Sequence, residues 1–320
     1  MNVLREAGPI GHPARPVSLA IGVFDGVHRG HAEVVRRTLA RAESGGGTAV
    51  AVTFDRHPQS VLAPDKAPPM LVPLWRRLEA IEALGLATAL VYGFDLEFSR
   101  QPAERFIERL RTGFGKLLGI TVGTGFVFGH RRSGNLELIE RLGRELGFAV
   151  EGVPPIEEGG EPISSTRVRE RVAAGDFAGA GVLLGRPYSL AGEVVPGDRL
   201  GTQLGFPTAN LDVTGLALPP AGVYAATAWV DGSRRPAAVN IGWRPTVGRT
   251  AGTIRVEAHL PGFAGDLYGR RLELELVRRL RGEVRFESRQ ALVEQIGRDV
   301  AEVREWAGNN GLPSATAGSL

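Results

Sequence analysis

Cysteine is absent from all 320 residues, which removes disulfides, thiolate nucleophiles and Cys-based zinc sites together and fits a reducing compartment. Any metal is left to oxygen or histidine donors. Long apolar runs are missing too: no stretch approaches bilayer-spanning length, and the opening MNVLREAGPIGHPARP lacks the apolar segment of a secretion signal. The expectation is a cytoplasmic protein with no membrane partner. Lysine is nearly absent, Lys66 and Lys116 being the two present, and the formal net charge is only +3. The arginines are scattered among acids rather than gathered in a block, so the electrostatic footprint of a nucleic-acid binder is lacking. Small phosphorylated ligands suit this balance better.

What is present is ordinary globular material, with 43% hydrophobic and 23% charged residues in a chain longer than one core usually spans. Two domains are expected, one large domain being the alternative. From residue 17 to about 153, the apolar runs VSLAIGVF, TAVAVTF, ATALVYG, GITVG and FAVEGV alternate with segments of helical period. Leu74, Leu78 and Ile81 share one helical stripe, and Phe106, Ile107 and Leu110 suggest another. Strand and helix in alternation predict a doubly wound parallel sheet of Rossmann-like type, which binds ligands at the carboxyl ends of its strands. Beyond about 185 the runs YSLAGEVV, GVYAATAWV, RPAAVNIGW, TIRVEAHL and RLELELV are separated by Gly- and Pro-containing turns with no long helix between them. They predict an antiparallel β-barrel. Leu292, Ile296, Val300 and Val303 place an amphipathic helix over about 287–307 against that barrel. The expected domains are 1–184 and 185–307, followed by a disordered tail, 308–320.

In FDGVHRGH, residues 24–31, a strand is expected to end at Phe24, and His28 and His31 lie three apart where a helix begins. Both imidazoles can face one phosphate. Gly22, Phe24, Asp25, Gly26 and Gly30 complete the expected phosphate-binding turn, and free N–H groups with the helix dipole add attraction for anions. A plain strand-to-helix turn is the alternative; a zinc pair lacks the i, i+4 spacing and a carboxylate partner. In ISSTRVRE, 163–170, Ser164, Ser165 or Thr166 can cap a helix while Arg167 offers a bidentate fork to β- and γ-phosphates. The alternative is an ordinary N-cap.

The stretch GDRLGTQLGFPTANL, 197–211, is too glycine-rich for a plain strand. Thr208 and Asn210, two apart on one side of an extended chain, can share Mg²⁺, while Gly201, Gly205 and Pro207 belong to a loop whose N–H groups wrap phosphates. A hairpin with a loose loop is the alternative. Glu257 in TIRVEAHL reads locally as a solvent-facing residue of an alternating strand.

The segments FDGVHRGH, TFDRHP (53–58), FVFGHRRSG (126–134) and ISSTRVRE, in this order, resemble the adenylyltransferase module of the bacterial bifunctional riboflavin kinase/FAD synthetase family. GVYAA (222–226), VNIGWRPT (239–246), VEAHL (256–260), DLYG (266–269) and RGEVRFES (281–288) resemble its riboflavin kinase module, so the likeness covers roughly 15–307. It implies an ATP- and Mg²⁺-dependent enzyme that phosphorylates riboflavin to FMN in the C-terminal half. FMN is then adenylylated to FAD, with pyrophosphate released, in the N-terminal half. By the same resemblance His28 and His31 contact ATP phosphates with Arg167 assisting, Glu257 is the general base for the ribityl 5′-hydroxyl, and Thr208 and Asn210 hold the metal. Phe128, Arg285 and Phe286 are flavin-pocket candidates. His57, His130 and His259 are read as structural, and Trp75, Trp229, Trp243 and Trp306 as packing residues.

One departure stands out: Gly125 occupies a position where the family usually has an acidic or amide residue, whereas Asp55 and Arg56 are a minor difference. A kinase with a weak or altered nucleotidyltransferase domain is the competing expectation, and a non-catalytic flavin or nucleotide sensor a third. Nothing in the pattern distinguishes a monomer from a homo-oligomer.

Overall fold

A computed structural model describes residues 1–10, 15–244 and 253–312. These fall into two compact units, Met1–Val168 and Arg169–Leu320. The first opens with β1 (Asn2–Leu4), β2 (Val17–Ile21), α1 (Arg29–Ser44), β3 (Thr48–Phe54), α2 (Gln59–Leu62), α3 (Leu74–Ala83) and β4 (Thr88–Tyr92). It continues through α4 (Leu96–Ser99), α5 (Ala103–Phe114), β5 (Leu117–Gly123), α6 (Leu136–Leu146), β6 (Ala149–Val153) and the small hairpin β7 (Glu157–Glu158) and β8 (Glu161–Pro162). Helix α7 (Ser165–Ala173) begins in this unit and ends in the next.

The main sheet has the order β1-β4-β3-β2-β5-β6, and every pairing in it is parallel. Alternation along β2 explains its two-sided cover: Val17, Leu19 and Ile21 enter one apolar cluster with α5, and Ala20 enters another with α1. Helix α5 buries Phe106, Ile107, Leu110 and Phe114 at helical spacing, each contributing about 1.5–3 kcal/mol. The five sequence-predicted strands are all here, and β1 adds a sixth at the edge. Strand β2 stops at Ile21 rather than at the expected Phe24, because Phe24 turns into the left-handed region at φ 54° and leaves the extended path. The direction of winding reverses at β2, with β3 and β4 on one side and β5 and β6 on the other.

The second unit contains α8 (Phe177–Leu184), β9 (Ser189–Val195), α9 (Leu200–Gln203), β10 (Ala209–Leu211), β11 (Gly222–Val230) and β12 (Ser233–Arg244). Strands β13 (Thr253–His259) and β14 (Arg271–Arg281) and helix α10 (Arg289–Asn309) follow. The strands close into an antiparallel barrel, β10-β13-β12-β11-β14-β9. Inward residues such as Val239, Ile241, Val256 and Ala258 are buried. On the outer face, the paired Ala225 and Ala238 are small enough to let Val300 and Val303 of α10 pack down on the sheet. Helix α10 runs to Asn309, and Leu312 tucks back with its N–H on the Ala307 carbonyl. Residues 313–320 of the expected tail, and Pro245 and Thr246 of VNIGWRPT, lie outside the described residues.

Arg281 at the end of β14 grips Asp299 of α10 with one guanidinium edge, Nη2 to Oδ2 at 2.7 Å and Nε to Oδ1 at 3.0 Å, and Gln295 donates to the same carboxylate at 2.9 Å. Asp299 is only 5% exposed. Removing one partner strands the other in a poorly solvated place. Asp299→Ala is therefore expected to destabilise the second unit by about 3 kcal/mol, read as a lower denaturant midpoint of that unit.

Candidate functional sites

The first site grows from the reversal point of the parallel sheet, where the loop after β2 opens at the carboxyl ends of β2 and β5. His28 is the N-cap of α1, its Nδ1 accepting from the His31 N–H at 3.4 Å. The two imidazoles stack at 3.7 Å between centroids and 19° between planes, and Phe24 meets His31 edge-on at 5.3 Å. Both histidines thus sit at the positive end of a sixteen-residue helix. Gly30 lies close to the first histidine: a Cβ there would come 3.2 Å from the His28 ring, which would have to shift slightly.

This turn is strained and held. Phe24 and Val27 have φ of 54° and 44°, a conformation costing about 1–3 kcal/mol for each L-residue, and Gly26 shares it without that cost. Several contacts oppose the strain. The buried Asp25 accepts from the Leu71 N–H at 2.9 Å, and its carbonyl accepts from Ser165 Oγ at 2.9 Å. The Val23 carbonyl accepts from Arg77 Nη1 at 2.6 Å and from Thr53 Oγ1 at 3.1 Å. Arg77 is fully buried in α3, and burial pushes its guanidinium down to about 10, with Asp25 and Asp55 opposing that shift.

The first turn of α7 meets this site through Ser165. Ser164 Oγ accepts from the Arg167 N–H at 3.3 Å, as a cap, and Thr166 is exposed. Arg167 spreads over the hairpin, donating to the carbonyls of Glu161 at 2.7 Å, Pro162 at 3.0 Å and Glu158 at 3.1 Å. Its fork is thus occupied by backbone oxygens, while Arg29, the first residue of α1, pairs with Glu158. Phe128 belongs to the aromatic packing after β5, stacked on Phe126 at 5.3 Å and tilted against Phe106 at 5.8 Å. Gly125 is exposed on that loop, and a Cβ there would meet nothing within 4 Å. Gly22 lies against the Phe24 ring, 3.2 Å from where its own Cβ would be.

In the second unit a cavity of about 600 Å³ lies between the outer face of the barrel and α10. Its floor is set by register: Glu257 of β13 is paired with Asn210 of β10 on one side and Asn240 of β12 on the other. Paired residues project to the same face, so one carboxylate stands between two amides. Glu257 and Asn240 line the cavity with Thr208, while Leu292 and Ile296 of α10, Phe206 and Phe286 supply apolar wall. Among the described residues the Glu257 carboxylate has no hydrogen bond or ion pair. A half-buried carboxylate placed on a cavity floor has the geometry of a general-base candidate.

Thr208 also lines a neighbouring cavity of about 340 Å³, which it shares with Pro207 and the 263–268 loop. It therefore stands at the junction of two chambers. The glycines beside it make room: a Cβ on Gly201 would come within 2.4 Å of the Phe206 carbonyl, and one on Gly197 within 2.2 Å of the Asn210 amide. Gly205 takes φ 86° at the end of this loop. His259 bonds the Pro207 carbonyl through Nδ1 at 2.8 Å and so braces the residue before Thr208; burial lowers its pKa, with that hydrogen bond opposing. Phe286 joins the cavity wall and takes the Arg281 guanidinium over its ring at 5.8 Å, whereas Arg285 is exposed beside it. Asn240, Arg77 and the Arg281–Asp299 pair were not legible as site residues in the sequence. For Asn240 a signal existed, since it is the polar outward residue between Ala238 and Gly242.

Comparison with known proteins assigns a family model to each half of the chain. A family model described as FAD synthetase matches residues 12–167, and one described as riboflavin kinase matches 184–307. The chain is 39% identical over 287 residues to the bifunctional riboflavin kinase/FMN adenylyltransferase of Pseudomonas fluorescens, covering 90% of this chain and 92% of that one. It is 37% identical over 298 residues to the protein of the same description from Escherichia coli K12, covering 92% and 94%. Among solved structures it is similar to one described as a macrolide-efflux protein from Streptococcus pneumoniae, with a TM-score of 0.76, 28% identity, and coverage of 95% and 98%. No helix among the described residues of this chain is long and apolar enough to cross a membrane.

Proposed function

Since the chain belongs to the bifunctional riboflavin kinase/FMN adenylyltransferase family, we propose that the two sites divide flavin-cofactor synthesis between them as follows. The protein is an enzyme with both activities: it phosphorylates riboflavin to FMN with ATP, and adenylylates FMN with ATP to FAD, releasing pyrophosphate. We place the functional boundary near residue 185, past the division of the compact units at Val168; a riboflavin kinase match over 184–307 supports that reading. A cytoplasmic setting suits a chain without cysteine.

The observation that carries the kinase assignment is Glu257, standing between two amides and without a partner among the described residues, in a cavity that meets a second cavity at Thr208. Riboflavin occupies the larger chamber with its ribityl chain toward the floor, and the nucleotide phosphates approach from the other. Glu257 takes the 5′-hydroxyl proton as that oxygen attacks the γ-phosphorus, and the bond to ADP breaks. The hydroxyl of Thr208 and the amide oxygen of Asn210 suit a hard cation. Those two oxygens would hold Mg²⁺ together with the phosphates of the nucleotide. When bound, Mg²⁺ neutralises phosphate charge.

In the first unit, His28, His31 and the amides that begin α1 surround the α-phosphate of ATP. A phosphate oxygen of FMN attacks that phosphorus, and the bond to pyrophosphate breaks. Charge that builds on the phosphoryl oxygens meets donors already in place. Arg167 contributes to phosphate binding by exchanging hairpin carbonyls for phosphate oxygens.

Incubation with riboflavin and MgATP is expected to yield FMN and then FAD by chromatography; absence of both would overturn the assignment. Gly125→Asn tests the departure on the β5 loop. The space there is open, so stability is expected to change by less than about 0.5 kcal/mol. The added amide is expected to raise FAD formation from FMN without altering FMN formation, measured as kcat/KM for each reaction.

A further inference from the structure

We infer that Arg77 is a positioning residue for adenylyl transfer, fixing the strained histidine turn from beneath. Among the described residues it is the largest fully buried side chain. Nη1 donates to the Val23 carbonyl at 2.6 Å, immediately before the left-handed Phe24, and Nη2 donates to the Phe54 carbonyl at 2.5 Å, at the end of β3. One rigid fork therefore ties the exits of two adjacent parallel strands together. A planar guanidinium can hold two carbonyls in fixed geometry, which a single ammonium cannot.

The connection runs onward to the chemistry. Val23 O is fixed by Arg77 and by Thr53 Oγ1, Asp25 by the Leu71 N–H and Ser165 Oγ, and three residues later His28 caps α1 and stacks on His31. Positive φ at Phe24, Gly26 and Val27 makes this turn the part most inclined to relax. Relaxation would swing the imidazoles and the N-terminal amides off the phosphate. The charged groups facing Arg77 are Asp25 on the turn and Asp55 beyond β3. With both of these nearby, the buried cation is suited to holding geometry and adds little net field at the phosphate. In the sequence Arg77 is hidden as the second of two adjacent arginines in an ordinary helix.

The inference rests on the adenylyltransferase reading of this unit. Its test uses the full chain with FMN and MgATP, FAD being quantified by chromatography and riboflavin kinase activity serving as the internal control. Arg77→Met is expected to lower kcat for FAD formation on the order of tenfold to a hundredfold, with a smaller change in KM and an unchanged kinase. Arg77→Lys, whose ammonium reaches one of the two carbonyls, is expected to recover only part of the loss near neutral pH. The same burial that lowers the guanidinium pKa acts on a lysine, so this variant is expected to lose activity toward alkaline pH while the wild type does not.

If Arg77→Met abolishes cooperative melting of the first unit, Thr53→Val decides, because it removes a donor to the same carbonyl and no charge. A lower kcat for FAD formation supports the inference, and an unchanged one overturns it. Wild-type protein that makes no FAD removes the underlying reading. Wild-type FAD synthesis with Arg77→Met kinetics within about twofold removes the inference alone.

Discussion

Glu257→Gln is expected to lower riboflavin phosphorylation by about 10²–10⁴-fold, the usual worth of a positioned general base. Glutamine keeps the size of the side chain and its place between Asn210 and Asn240, so the floor of the cavity stays intact. What it loses is the ability to accept the hydroxyl proton. That proton moves only in the transition state, so the loss is expected in kcat, with KM for riboflavin nearly unchanged. Asn240→Ala serves as the contrast, because an amide that only orients the substrate shifts KM more than kcat. FAD formation from added FMN is expected to be unaffected by either change. Steady-state kinetics of both reactions on each variant checks this, and a Glu257→Gln enzyme with wild-type kinase turnover would return the proton transfer to solvent.

The second large effect is expected at His28 and His31. Removing one preorganised donor from a site of developing charge costs about 10²–10³ in rate. His28 needs a particular substitution, because its ring caps α1 as well as facing the turn. His28→Ala confounds the two roles, the lost cap alone costing about 1 kcal/mol. His28→Asn keeps a good capping oxygen and removes the imidazole. It is expected to melt near the wild-type temperature while FAD formation falls by two orders of magnitude or about that. His31→Ala is expected to lose a similar factor. The double variant is expected to fall well short of the product of the two losses, because the stacked rings act on one phosphate as a unit. Kinase activity is expected to persist throughout. A His28→Asn enzyme that retains full adenylyl transfer would limit this residue to its structural role.

Much of this architecture was open to reading from pattern alone. Val17–Ile21 and Thr48–Phe54 are short apolar runs buried on both faces, and the 3.6-residue spacing of Phe106, Ile107 and Leu110 marks a helix that covers them. Strand β1 escaped, and β10 reads only as the extended end of a glycine-rich loop, because three residues carry no usable period. Their existence depends on partners far along the chain, Asn2 on Thr88 and Asn210 on Glu257. The same holds within the sites. The histidine turn and the glycine loop are contiguous in sequence and so visible, whereas Asn240 joins Glu257 only through strand pairing. Arg77 and Asp299 carry no signal in a helical stripe, because such a stripe is judged by its apolar members. Whether a charge at its edge turns inward depends on a carbonyl or guanidinium supplied from elsewhere. The expected end of β2 at Phe24 failed for the converse reason: hydrophobicity continues past Ile21 while the backbone does not.

Closure of the barrel bears on how the chain comes to be folded. Strand β9 pairs with β14 in a register that joins Ser189 to Glu275 and Glu193 to Arg271, contacts separated by roughly eighty residues. During synthesis β9 is therefore exposed from the ribosome long before its last neighbour exists, and no barrel can seal until β14 has emerged. The parallel sheet is free to assemble in the meantime, since β1 to β6 all precede residue 154. Nascent chains released near residue 260 would then hold a formed nucleotidyl-transfer unit beside an open, edge-exposed half barrel. The final segment, through β14 and α10, acts as the clasp that ends that exposure.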